Sequence, residues 1–199
     1  MTTTTLWNSD DLDAWRHAHA KYGAVVAGQD VSGLVELNAW YQTALPVTIS
    51  ERHPAFVEPR ELREVVRWKM KRGEWRARNL VLVESNDDER VRDATREGFA
   101  SVPHERRPLA LIGELAGVGP ATASAVLAAY RPDLFPFLDD LVGSAIPELG
   151  EPKFTLPYYL RYAAALRARA ATLGSPWTAQ DVGLALWSAA GGKAGVSAG

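Results

Sequence analysis

The sequence predicts an all-α fold. Three observations carry this expectation. Apolar residues recur at helical spacing in segment after segment, capping residues precede most of those segments, and no stretch shows the sustained alternation of a half-buried strand.

Taken in order, Ser9 or Asp10 caps a first helix running through about Val26. A second covers about Ser32 to Ala44, with Leu34, Leu37, Trp40 and Tyr41 on one face. Pro46, Pro54 and Pro59 punctuate a linker, and Pro59 suits the first turn of a helix from about Arg60 to Lys71 that buries Leu62, Val65 and Val66. Gly73 ends or kinks that helix. Leu80 to Val83 is the only strand-like run; without a partner of similar character it reads as a short buried helix. Ser85 or Asn86 caps the next helix, and Asp87, Asp88 and Glu89 suit the positive end of its dipole. Further helices are expected at about Pro108–Leu115, Pro120–Tyr130, Asp139–Ile146 and Leu156–Leu173. A last one begins at Thr178, where Asp181 takes the acidic place of a capping box.

With 199 residues, the chain can bury a core without covalent staples. One helical domain over 1–190 and a disordered tail over 191–199 are expected. No cysteine is present, which excludes disulfides, cysteine nucleophiles and thiolate-held metals. His17, His19, His53 and His104 have no metal-ligand spacing, so neither metal nor cofactor is expected. No apolar run reaches the roughly 18 residues of a membrane span. The N-terminal segment lacks the regions of a signal peptide, so a cytoplasmic monomer is expected, nucleoid-associated if bacterial. Net charge is only −2, but six of the twelve residues from Arg67 to Arg78 are basic, with Trp68 and Trp75 among them.

Leu115 to Asp140 carries the densest set of signals. Leu109, Ile112 and Leu115 form an apolar stripe, Gly117-Val118-Gly119 makes a turn, and Pro120 opens an apolar helix. Two glycines let a short link take positive φ and let a ligand approach the backbone. Free amides in the turn and at the helix start make an anion site, to which Thr122 can add a hydroxyl. Val118 anchors the turn in the core. A bland alternative stands beside this: a corner between two helices that merely needed glycine.

The pattern Leu-x-Gly-Val-Gly-Pro-Ala-Thr-Ala over about 108–130 resembles a helix-hairpin-helix, and the residues after it resemble the helix-hairpin-helix DNA glycosylase superfamily, nearest its alkylated-base branch. That family's hairpin is followed by an essential aspartate. Here Asp139 and Asp140 lie 20 and 21 residues beyond Gly119, one short of the usual spacing for Asp140, which takes the catalytic place by this alignment. Ala121 stands near the position where bifunctional members carry lysine. The resemblance therefore implies a monofunctional, metal-free enzyme acting on duplex DNA.

Breaking an N-glycosidic bond builds positive charge on the sugar, which a carboxylate stabilises while it orients the attacking water. Asp139 can instead be the N-cap of the following helix, and both aspartates can be a capping pair without chemistry. A flipped base needs aromatic walls; Trp40, Tyr41, Trp68, Trp75, Tyr158, Tyr159 and Trp187 are available, each with a core reading beside it, and Trp75 stands out by its polar setting. Lys71, Arg72, Trp75, Arg76 and Arg78 suit phosphate contact and stacking, together with Gly117, Val118, Gly119, Ala121 and Thr122 of the turn. Alternatively, Arg63, Arg67, Lys71 and Arg78 form a solvated helix face with local partners at Glu61, Glu64 and Glu74. Three functions stay open: a monofunctional glycosylase, a non-catalytic DNA-binding protein, and a helical protein-interaction domain.

Overall fold

A computed structural model describes residues 3–193 and 196–197, and the protein is all-α. α1 (Thr3–Trp7) leads into α2 (Leu12–Ala20), where Asp11 accepts hydrogen bonds from the amides of Asp13 and Ala14. α3 (Tyr22–Ala27) follows after a break at Lys21, so the single first helix expected from sequence is two. α4 (Leu34–Ala39), a π-helical turn (Trp40–Ala44) and α5 (Leu45–Glu51) form one continuous rod. Pro46 therefore lies inside a helical segment and not in a linker. It has no N–H to give and its ring crowds the preceding turn, and the widened turn, with Leu45 donating to the Trp40 carbonyl, accommodates it.

α6 (Pro59–Arg72) begins with a capping box in which the Glu58 amide donates to Glu61 at 2.8 Å. Gly73 ends it, β1 (Glu74–Trp75) follows, and α7 (Ala77–Glu84) contains the strand-like Leu80–Val83. That run is helical as expected but not buried: Val81 is 66% and Leu82 37% exposed, and of the valines only Val83 faces inward. α8 (Asp88–Ala100) is capped by Asp87. Then come α9 (Arg107–Ile112), α10 (Pro120–Tyr130), α11 (Asp140–Ser144), a 3₁₀ turn (Pro147–Leu149), α12 (Leu156–Leu173) and α13 (Ala179–Ala189). Thr178 and Asp181 complete both halves of the last capping box.

α10 and α13 are apolar around nearly their whole circumference, and both are buried. α13 packs against α1, α2, α3, α11 and α12, while α10 packs against α5, α6 and α9. Trp15, Trp68 and Trp187 are fully buried. Part of the tail expected to be disordered is placed: β2 (Val196–Ser197) pairs in parallel with β1. Ala194, Gly195, Ala198 and Gly199 lie outside the described residues. Among the described residues no helix is long and apolar enough to cross a membrane.

Candidate functional site

The turn before α10 is built by two glycines with different duties. Gly117 takes φ +75°, and a Cβ there would meet the Asn79 carbonyl oxygen at 2.7 Å and Leu82 at 2.9 Å, so both backbone and space demand glycine. Gly119 is extended at φ −95° and ψ −178°, and a Cβ there would meet nothing within 4 Å. The expected positive φ belongs to Gly117 alone. Nothing in the fold requires glycine at 119; the residue leaves the approach to the backbone bare. Val118 is buried, as its anchoring role requires. Asn86 grips the turn from α7's end, accepting from the Ala116 amide at 2.8 Å and donating to the Ala116 carbonyl at 3.0 Å.

The first amide of α10 with a backbone acceptor is that of Ala123, which donates to the Gly119 carbonyl at 2.9 Å. Among the described residues the amides of Gly119, Ala121 and Thr122 have no acceptor. They stand at the positive end of an 11-residue helix, where an anion is favoured.

Gly117, Gly119, Ala121 and Thr122 line a cleft of about 340 Å³, and Asp139 and Asp140 line it as well. Lys69, Arg72 and Arg76 enter it from α6 and the segment after it. Asp139 is the N-cap of α11: its Oδ1 accepts from Leu141 at 2.9 Å and Val142 at 3.4 Å. Its Oδ2 lies 3.5 Å from the Arg72 Nη2, both side chains being buried. Asp140 is only half-buried, and its Oδ2 accepts from Lys193 Nζ at 2.6 Å.

Burial pushes the Asp139 carboxyl above its ordinary pKa; Arg72 opposes the shift and the Asp140 charge adds to it. The folded pKa thus exceeds the unfolded value of about 3.9. The linked stability is present below that pH and is lost as pH rises through the folded value. Asp139→Asn keeps an oxygen for the cap and removes the titration. Urea midpoints followed upward from about pH 3 should show the native protein losing ground to the variant; a constant difference would place Asp139 at its ordinary pKa.

The basic run does not form one surface. Lys71 reaches the Ser32 carbonyl, away from the cleft. Arg72, expected among the DNA contacts, is 3% exposed and sits within the core. Arg76 is exposed and pairs with Glu74 at 2.6 Å, Arg78 is exposed at the start of α7, and Trp75 is 41% exposed beside the cleft. Of the expected acidic partners, Glu64 holds Arg67 at 3.1 Å, whereas Glu61 is taken by Arg52. None of the seven aromatic candidates lines the cleft; Phe137 and the half-exposed Phe154 do. Trp68 stacks on Tyr41 with ring centres 3.6 Å apart, inside the core.

Two cations of the cleft were missed from sequence. Lys69 is a cleft cation without a hydrogen bond or ion pair among the described residues, and burial, then the Arg76 charge, lowers its pKa. It was visible in the basic run, but its facing was not. Lys193 stood in a segment read as disordered, so nothing pointed to it. No group of histidine and carboxylate side chains suited to a metal occurs among the described residues.

Fold and site together define a helical protein that presents acceptor-free amides at a helix start and a pair of carboxylates to one cleft. No protein-family model, curated protein or solved structure matches the chain.

Proposed function

We propose that the protein binds DNA through the glycine turn, as a helix-hairpin-helix does, and hydrolyses the N-glycosidic bond of a damaged base held in the cleft. One observation supports this reading above the others: acceptor-free amides at the start of α10 and the half-buried Asp140, 20 residues beyond Pro120, open on the same cavity. The amides would take a backbone phosphate. Asp140 would face the deoxyribose, stabilise the positive charge that grows as the base leaves, and orient the water. Asp139 is the cap that sets the start of α11 and thereby places Asp140. The lining carries four cations (Lys69, Arg72, Arg76, Lys193) and three carboxylates (Glu74, Asp139, Asp140), a nearly balanced set. Phosphate recognition therefore rests on directed amides more than on bulk charge.

A second reading, a DNA-binding protein without chemistry, is favoured by the Lys193 amine that occupies Asp140. The test uses duplexes that are undamaged, mismatched or carrying a stable abasic-site analogue, titrated by fluorescence anisotropy at two salt concentrations. Tightest binding to the abasic analogue is the expected result. Alkylated duplexes should then lose base with the native protein and keep it with Asp140→Asn. Equal, salt-dependent binding to all three duplexes supports the second reading, and no binding at low salt defeats both.

A further inference from the structure

The chain leaves α13 through a built exit. Gly191 donates to the Ser188 carbonyl at 3.0 Å and Gly192 to the Trp187 carbonyl at 3.1 Å, the paired bonds of a Schellman motif. Both glycines have positive φ, 82° and 76°. A Cβ on Gly192 would meet Gln29 at 2.6 Å and Trp187 at 2.8 Å, so the turn tolerates no side chain there. Gln29 in turn donates to the Gly191 carbonyl at 2.8 Å. The next residue is Lys193, and this exit delivers its amine to Asp140. Farther on, the β2 backbone docks on β1 along the basic segment.

That ion pair is in conflict with the chemistry proposed above. A cation on Asp140 cancels the field that would stabilise a positively charged sugar. Yet a bare carboxylate beside the α10 helix start would repel an incoming phosphate. Both difficulties vanish if the amine changes partner. Its side chain is 38% exposed and that of Asp140 39%, so each is within reach of solvent and the pair is cheap to exchange. The amides of the α10 start, where a phosphate would sit, line the same cleft.

We infer that Lys193 is a mobile counter-ion of the cleft, holding Asp140 while the cleft is empty and passing to a backbone phosphate of bound DNA, which frees Asp140 for the sugar. This rests on the DNA-binding reading. The experiment compares native protein, Lys193→Ala and Lys193→Arg for binding to the abasic-analogue duplex over a salt series. Lys193→Ala should weaken binding roughly three- to tenfold at low salt and lower the slope of log K against log salt by about 0.9, the signature of one lost phosphate contact. Lys193→Arg should restore both. A merely structural Lys193 would leave the slope unchanged, which overturns the inference while native binding keeps the DNA-binding reading. Tighter binding by Lys193→Ala overturns it too, because the amine would then only obstruct the cleft. Absence of binding by the native protein at low salt removes both readings.

Discussion

Arg72→Ala should lower the unfolding free energy by about 3–5 kcal/mol, the usual result of breaking a buried ion pair from one side. The Arg72 guanidinium lies within 4.5 Å of the Trp187 ring centre, 5.1 Å of Phe137, 5.3 Å of Trp68 and 5.7 Å of Tyr22. Ring faces attract the cation, but they replace few of the hydrogen bonds it gives up. Among the described residues its Nε and Nη1 have no hydrogen-bond partner, and its contact with Asp139 at 3.5 Å is an ion pair without a hydrogen bond. Truncation would leave a cavity among four rings and strand the buried Asp139 charge. Arg72→Met combined with Asp139→Asn should cost clearly less than the sum of the two single changes, because the double variant strands no charge. Urea unfolding of the native protein, Arg72→Ala, Arg72→Met, Asp139→Asn and the double variant measures this. Strict additivity would mean that the pair contributes nothing, and a loss for Arg72→Ala below about 1 kcal/mol would mean that the ring cage closes over the gap.

Gly117→Ala and Gly119→Ala should behave as opposites. At Gly117 the left-handed backbone costs an alanine about 1–2 kcal/mol, and its Cβ would press on the Asn79 carbonyl, which belongs to α7 and has no flexible end to move. Overpacking adds about 1–3 kcal/mol, so the variant should melt well below the native protein. Gly119→Ala has ordinary φ and open space, so its stability should stay within about 0.5 kcal/mol of native. Its methyl group would stand where a phosphate must approach the α10 amides, and duplex binding should weaken. Thermal melts and anisotropy together separate the two duties. If Gly119→Ala bound duplex as tightly as native protein, the turn would not be the contact.

Where local chemistry decides an element, the sequence showed it. α10 and α12 have the expected ends because Pro120 and Leu173-Gly174 mark them, and Thr178 with Asp181 closes its box as the spacing requires. Only the family resemblance, not the residues by themselves, put the turn and the aspartates together, and one cleft holds both. The burial of Arg72 is hidden in the sequence because its neighbours there are charged, while its neighbours in space are Tyr22, Phe137 and Trp187, brought from α3, the segment before α11, and α13. No window along the chain contains that cage. Pro46 reads as a break in the sequence because a proline forbids one hydrogen bond; the π turn ahead of it absorbs that loss. Phe154 and Lys193 reach the cleft from separate loops, so only the assembled fold makes them site residues.

The Asn86 amide, bonded in both directions to Ala116, also hydrogen-bonds the Leu82 and Val83 carbonyls, so one side chain rivets the end of α7 to the glycine turn. The turn is therefore arranged before any ligand arrives. A phosphate docking there would find its donors already aimed, and little configurational entropy would be lost on association. Loosening that rivet would leave every α10 amide in place chemically and yet charge each binding event with the ordering of a loop.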